Sequence, residues 1–225
     1  MSIEAPIKTI SNGLVLHLDA ANNKSYPGSG TSWRDLSGND NNGTTSGGPT
    51  FSGANGGSLV FDGTDDYVNC GNPLTFTDSF SILFFLKTTS NSVKVACGMY
   101  SGTGADWWIG SNGSNTLQFS YGSPSKRDIT STSIINNNMW NMASCVYSKN
   151  INSTFLYINT NMEASSNLIP STVTAAGGQL NIGRFGSTNS FHFPGTFGLF
   201  QVYNRALSEA EIRQNYDSTR SRFGL

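Results

Sequence analysis

The sequence predicts an all-β sandwich or jelly roll of two antiparallel sheets, with one short helix near the C-terminal end. Three observations carry this. Apolar residues alternate with polar ones at period two in many short runs. Clusters of Gly, Asn, Ser and Asp punctuate those runs at the roughly 8–12-residue spacing of sandwich strands. No β-strand/α-helix alternation appears anywhere, which excludes doubly wound sheets and (β/α) barrels.

In chain order, "LVLHLD" is an apolar strand that holds His17, and the polar stretch from Gly38 to Gly57 is a surface excursion between strands. In "SFSILFFLK", Phe80, Ile82, Phe84 and Leu86 share one face, while Leu83 and Phe85 join Ser79 and Ser81 on the other. That pattern fits a central strand covered on both sides. "TLQFSYG" turns Leu117, Phe119 and Tyr121 inward. "MWNMASCVY" sets Trp140, Met142, Ser144 and Val146 against Met139, Asn141, Ala143, Cys145 and Tyr147. "STFLYIN" and "GLFQVYN" add β-branched and aromatic strands. The helix is announced by Ser208 and Glu211, spaced as a capping box, with Leu207 and Ile212 placed for a hydrophobic staple. It is expected to end near Asp217 and to cap an open end of the sandwich.

A chain of 24.1 kDa implies a folded surface of about 10,000 Å² and one self-sufficient core. With no linker or repeat, residues 1–225 read as a single domain. Charged residues are only 12% and the net charge is −1. No basic field exists to follow a phosphate backbone, so nucleic acid is not an expected partner. No segment has the length of a membrane-spanning helix, so no membrane is expected either. The opening "MSIEAPIKTISNG" lacks a basic segment followed by an apolar run, which predicts synthesis without a signal peptide. Cys70, Cys97 and Cys145 each lie in or beside an apolar run and are expected to be buried free thiols.

The order "GLVLHLDAANNKSYPGSGTSWRDLSGNDNNGT", "SLVFDGTDDYVNCG", "SFSILFFLK", "MWNMASCVYSKNINSTFLYIN" and "VYNRALSEAEIRQNYDSTRSRF" resembles the concanavalin A-like, laminin G-type jelly-roll family over nearly the whole chain. This wording is similar to that of virion proteins of aquatic bacteriophages. The resemblance implies a concanavalin A-like jelly roll and a non-enzymatic role on the virion surface, as capsid decoration or tail appendage. Its partners would be other virion proteins, and it would be made in the host cytoplasm. The alternative is a lectin-type adhesin for host cell-surface polysaccharide. An exposed sheet edge or aromatic loop would also support a homo-oligomer.

Candidate chemistry follows from residue types. Glycoside hydrolysis needs a carboxyl pair about 5–5.5 or 6.5–9.5 Å apart. Glu4, Glu163, Glu209 and Glu211 form no such strand pattern, and neither His17 nor His192 accompanies a nucleophile elbow, so no enzyme is read here. His17 is expected to be buried and hydrogen-bonded. Calcium is the one cofactor suggested. Asp35, Ser37 and Asn39 alternate like the start of an EF-hand loop, with Asp62 and Asp65 as further oxygens, although the loop lacks the glycine and the final glutamate that the pattern requires. Sugar binding needs an exposed aromatic beside hydrogen-bonding groups. The candidates are Tyr100, Asp106, Trp107, Trp108 and Asn112, with a second aromatic loop at Phe191 and His192. Residues 1–12 and 218–225 are the expected docking arms, the latter through Arg220, Arg222 and Phe223.

Overall fold

The computed structural model describes residues 7–73, 78–100, 107–121, 127–167, 178–186 and 191–225. The strands are β1 (Leu14–Asp19), β2 (Ser32–Trp33), β3 (Gly43–Ser46), β4 (Thr50–Ser52), β5 (Ser58–Asp62), β6 (Tyr67–Asn69), β7 (Phe80–Lys87) and β8 (Val93–Tyr100). They continue with β9 (Trp107–Asn112), β10 (Thr116–Tyr121), β11 (Arg127–Ile134), β12 (Asn141–Ser148), β13 (Ser153–Ile158), β14 (Asn161–Ser166), β15 (Gln179–Ile182) and β16 (Pro194–Tyr203). The helix α1 spans Glu209–Asp217, and a 3₁₀ turn follows at Arg220–Phe223.

All pairings are antiparallel, in two eight-stranded sheets. The first runs β14-β13-β12-β7-β16-β5-β4, with β1 added to β16; the second runs β11-β10-β9-β8-β15-β6-β3-β2. This is the jelly-roll sandwich that the alternation predicts. The polar excursion of residues 38–57 differs from expectation in contributing the short strands β3 and β4. Backbone pairing to β6 and β5 satisfies those polar segments without a hydrophobic run.

The inter-sheet core is aromatic. Phe80, Phe84, Leu86, Trp107, Phe119, Tyr121, Phe197 and Phe200 are all inside it, with the three free cysteines among them. The solvent-accessible surface, 9741 Å², matches the scaling expectation. Strand β7 is buried on both faces, as its sequence implies: its even-numbered residues from Phe80 to Leu86 fill the main core. Leu83 and Phe85 enter a second cluster on the outside of the first sheet, with Trp140, Met142, Val146, Leu199, Tyr203, Leu207, Ile212 and Phe223.

That second cluster corrects the expected role of the helix. Ser208 and Glu211 do form the capping box, with Ser208 Oγ accepting from the Glu211 amide and the Glu211 carboxylate accepting from the Ser208 amide. The Glu211 carboxylate also takes two hydrogen bonds from Arg205, at 2.6 and 2.9 Å, and this pairing first of all pulls its pKa down to about 2. The helix so anchored lies over a sheet face rather than an open end, because Ile212 and Leu207 must cover Leu83 and Phe85.

The described parts of the expected docking arms belong to the fold. Phe223 is only 4% exposed and stacks on Phe85 at 4.2 Å and against Trp140 at 4.7 Å. Arg222 donates to the carbonyls of Asn55, Gly57 and Gly198 and pairs with Asp19 at 2.6 Å. Arg220 is engaged by Asp217 at 3.0 Å and by the Leu225 carbonyl. A buried ring and a guanidinium shared among four oxygens hold the tail down, so it is not a free basic arm. At the other end, the Ile10 amide donates to Asn215 Oδ1, Gln214 donates to the Lys8 carbonyl and Arg205 donates to the Asn12 carbonyl. Lys8 and Ile10 therefore lie against α1, and Asn12 against Arg205 just before it. Residues 1–6 of that arm fall outside the described residues.

Candidate carbohydrate-binding face

The outer face of the first sheet is covered by α1 and the tail, and the exposed aromatics Tyr100 and Phe191 lie with the second sheet. Strand alternation decides which side chains reach it. In β9, Trp107 and Ile109 enter the core, so Trp108 and Asn112 point outward. In β8, Cys97 and Met99 enter the core and Gly98 and Tyr100 point outward. The register aligns Gly98 with Trp108 on one side and with Asn181 on the other, and Tyr100 with Gln179. Beyond Trp108 the ladder continues to Ser120 and Asp128, and beyond Asn181 to Asn69. One row across the sheet thus carries a carboxylate, a hydroxyl, an indole, a glycine gap and two amides, of which Ser120 and Asn181 are buried.

The glycine gap has a steric reason. A Cβ on Gly98 would lie 3.0 Å from Trp108 Cβ and 3.1 Å from the Phe185 ring. Trp108 and Phe185 therefore close over β8 from both sides, and a larger residue would push them apart. Phe185 in turn meets Tyr100 edge-on at 5.4 Å. Tyr100, Phe185, Gly186 and Phe191 line an apolar cavity of about 220 Å³. Exposed Tyr100 and Phe191 and half-buried Phe185 thus form one connected set, with half-buried Trp108 next to it across Gly98.

Several predicted sugar contacts are placed differently. Trp107 is fully buried, packed on Phe80 and Phe119, because the alternation of β9 sends it inward. His192 is buried beside Tyr67, with Nδ1 3.4 Å from the Asp66 carbonyl, and is not on the surface. Asn112 faces out, but its Oδ1 accepts from the Ser114 amide and the Thr116 hydroxyl, which ties it to the β9–β10 turn. Tyr100 and Phe191, 40% and 48% exposed, are where a surface platform needs them. Asp106 lies outside the described residues. Sequence reasoning missed Phe185, whose partners Gly98 and Tyr100 lie on the distant strand β8.

The calcium candidates separate into two places. Asp35 Oδ1 accepts from the amides of His17 and Ser37, and Oδ2 from the Ser37 hydroxyl and the Asn41 amide. These four donors take up the roughly four lone-pair sites of a carboxylate. Ser37 and Asn39 turn their side chains to the backbone of β1, donating to the Val15 and Leu14 carbonyls. This group pins a loop and does not fit a cation, which needs its oxygens unshared. Among the described residues, the carboxylates that do gather are Asp62, Asp65 and Asp66, with oxygens within 4.8 Å of one another. The Thr64 amide, first of all, lowers the pKa of Asp62, while burial raises that of Asp66. His17 differs from expectation as well: its Nε2 is buried without a partner, and burial lowers its pKa.

Two glutamates are engaged in the framework. Glu211 caps the helix, and Glu163 on β14 accepts from the amides and hydroxyls of Thr132 and Ser133 on β11, clasping an edge of one sheet to the other.

A model of the concanavalin A-like lectin/glucanases superfamily matches residues 62–213. The chain belongs to that superfamily. No curated protein matches it. Among solved structures, this concanavalin A-like domain is similar to domain 4 of AbnA, an extracellular GH43 arabinanase of Geobacillus stearothermophilus, in complex with arabinotriose. The TM-score there is 0.72 at 17% identity, over 92% of this chain and 98% of that one. It is also similar to the binding domain of Paraclostridial Mosquitocidal Protein 1, with a TM-score of 0.71 at 17% identity over 90% of this chain and 51% of that one. The binding domain of botulinum neurotoxin DC, in complex with rat synaptotagmin II, gives 0.70 at 15% identity over 94% and 52%. The chain thus spans about half the length of the toxin binding domains it matches. At these identities the likeness is one of fold alone. The structures most like this concanavalin A-like domain are mainly binding domains.

Proposed function

We propose that the protein is a non-catalytic recognition module that binds host cell-surface polysaccharide through the outer face of its second sheet, displayed on the surface of a bacteriophage virion. One observation carries this reading. The outer face of the first sheet is covered by α1 and the tail, whereas among the described residues the outer side of the second carries exposed Tyr100, Phe191 and Gln179 beside half-buried Trp108. Flat rings bordered by hydrogen-bonding groups suit a sugar, which offers a C–H face and a hydroxyl rim. The arabinotriose complex of the related arabinanase domain supports the class of ligand at the level of the fold. Support for the virion setting is the resemblance of the sequence wording to phage virion proteins, and the partners there are other virion proteins. Synthesis in the host cytoplasm belongs to the same proposal. The arms expected to dock onto other virion proteins are in part engaged within the chain itself, with residues 8–12 and 220–225 seated on the fold.

The test is a binding isotherm of the purified chain on polysaccharide from the host surface. Saturable binding that is lost in Trp108→Ala, with an unchanged melting temperature, supports the reading. Absence of binding, or binding that Trp108→Ala leaves intact, overturns it.

A further inference from the structure

The cavity between Tyr100, Phe185, Gly186 and Phe191 has a construction that packing alone does not require. Phe191 sits at φ +64°, in the left-handed region. A bulky residue is rare there, and such a conformation costs roughly 1–3 kcal/mol unless its surroundings impose it. Its surroundings do impose it. The Phe191 carbonyl accepts from the Val95 amide at 2.9 Å, His192 is buried, and the Phe193 amide donates to the Gly183 carbonyl at 2.9 Å. Phe193 itself is fully buried against Phe197. The backbone is thus fixed at Phe191 and through the two residues after it, and at the strained position stands an aromatic ring, almost half exposed, where Gly or Asn would be relaxed. Opposite it, Gly186 has φ +68°, and a Cβ there would come within 3.0 Å of the Tyr100 ring. The space is kept open by a glycine and walled by three rings.

From this geometry we infer that the cavity receives a methyl-bearing substituent of a neutral sugar residue, the C6 methyl of a 6-deoxyhexose or the acetyl methyl of an N-acetylated sugar. The inference rests on the polysaccharide-binding reading above. Size sets the occupant: about 220 Å³ exceeds the roughly 150 Å³ known to hold one benzene ring, so one ring or substituent fits and a chain does not. Charge sets its class: among the described residues the lining is Tyr, Phe, Gly and Phe, with no group to pair with a carboxylate or a sulfate. The neighbouring strand supplies the polar half of the contact. Exposed Gln179 stands directly across from Tyr100 in the β8–β15 ladder, and its Oε1 accepts from the Asn69 side-chain Nδ2 at 2.7 Å. A sugar with an apolar substituent in the cavity would keep its hydroxyl edge over Gln179 and its ring toward Trp108.

The test uses matched pairs of methyl glycosides, titrated into the full chain and read by chemical-shift changes. L-fucose is compared with L-galactose, which has a hydroxyl in place of the C6 hydrogen, and N-acetylglucosamine with glucose. Host polysaccharide is titrated in parallel. The expected result is a preference of about fourfold or more for the methyl-bearing member of one pair, the factor that burying one methyl-sized group gives. Which pair shows it separates a 6-deoxy sugar from an N-acetylated one. In Phe191→Gly, which suits the left-handed backbone and so keeps the fold, the preference falls toward one. Tyr100→Ala is the second variant, with the same expectation. Polysaccharide binding without any preference within either pair overturns the cavity assignment and leaves the recognition reading standing. So does a preference that Phe191→Gly and Tyr100→Ala both retain. No binding of polysaccharide or glycosides overturns both.

Discussion

Replacing Phe223 by Ala removes the ring that joins the C-terminal turn to the outer face of the first sheet. The ring stacks on Phe85, packs tilted against Trp140 and is almost fully buried. Truncation of a buried Phe costs about 3–5 kcal/mol, and a chain of this length loses roughly 2–4 °C of Tm per kcal/mol. The expected loss is about 6–20 °C, most of it recoverable in Phe223→Leu. Arg222→Ala is the companion variant. It leaves Asp19 without its cation and removes the donor to three backbone carbonyls. Breaking a fully buried pair costs about 3–5 kcal/mol, and because the two side chains keep 17% and 19% exposure, about 2–3 is the better figure here. The two changes touch one cluster, so the double variant is not the sum. Against a usual total stability of about 5–15 kcal/mol, deleting residues 220–225 should leave a marginal fold. The assay is calorimetric or circular-dichroism melting at fixed pH. A Tm within about 2 °C of wild type for Phe223→Ala would refute the seating of the tail and restore it as a docking arm.

Further outcomes follow from individual side chains. Burial works to raise the Glu163 carboxyl, but the donors of Thr132 and Ser133 outweigh it and hold its pKa low. Its contribution is complete above the ordinary Glu value of about 4.3 and is lost as pH falls through the lower folded value, so Glu163→Gln should flatten the acid limb of the stability curve. An unchanged acid limb would contradict the clasp. Asp35→Ala should lower Tm through loss of four hydrogen bonds, while chelator leaves the wild-type melt unmoved; a chelator-sensitive melt that Asp35→Ala abolishes would put a cation at that loop. Burial pushes the Cys70, Cys97 and Cys145 thiols up, so an alkylating reagent at neutral pH should label none of them until the chain is unfolded. Rapid labelling of the native protein would show the core to be open.

The alternation in the strands was informative because each side of β7, β9 and β12 has a different destination. Phe84 and Phe85, adjacent in sequence, enter separate clusters, and the letters alone place them on opposite faces. The capping box was equally legible, since Ser208 and Glu211 act locally. What the helix would cover was not, because that depends on Phe85 and Ile212 meeting across 127 positions of chain. The site shows the same division. That one of Trp107 and Trp108 must face inward follows from a two-residue period, but which one depends on register with β8 and β10. Asp35 offered a loop pattern with metal-like spacing, yet its partners are backbone amides that no spacing rule reveals. Phe185 was invisible because its neighbours Gly98 and Tyr100 come from a strand far earlier in the chain.

The most direct test of the account is hydrogen–deuterium exchange of the intact chain with and without saturating host polysaccharide, resolved by peptide. Protection should concentrate in β8, β9 and β15 and around Phe185 and Phe191, leaving α1, β12 and β13 unchanged. Protection confined to α1 and the first sheet, with the second sheet unaffected, would contradict it.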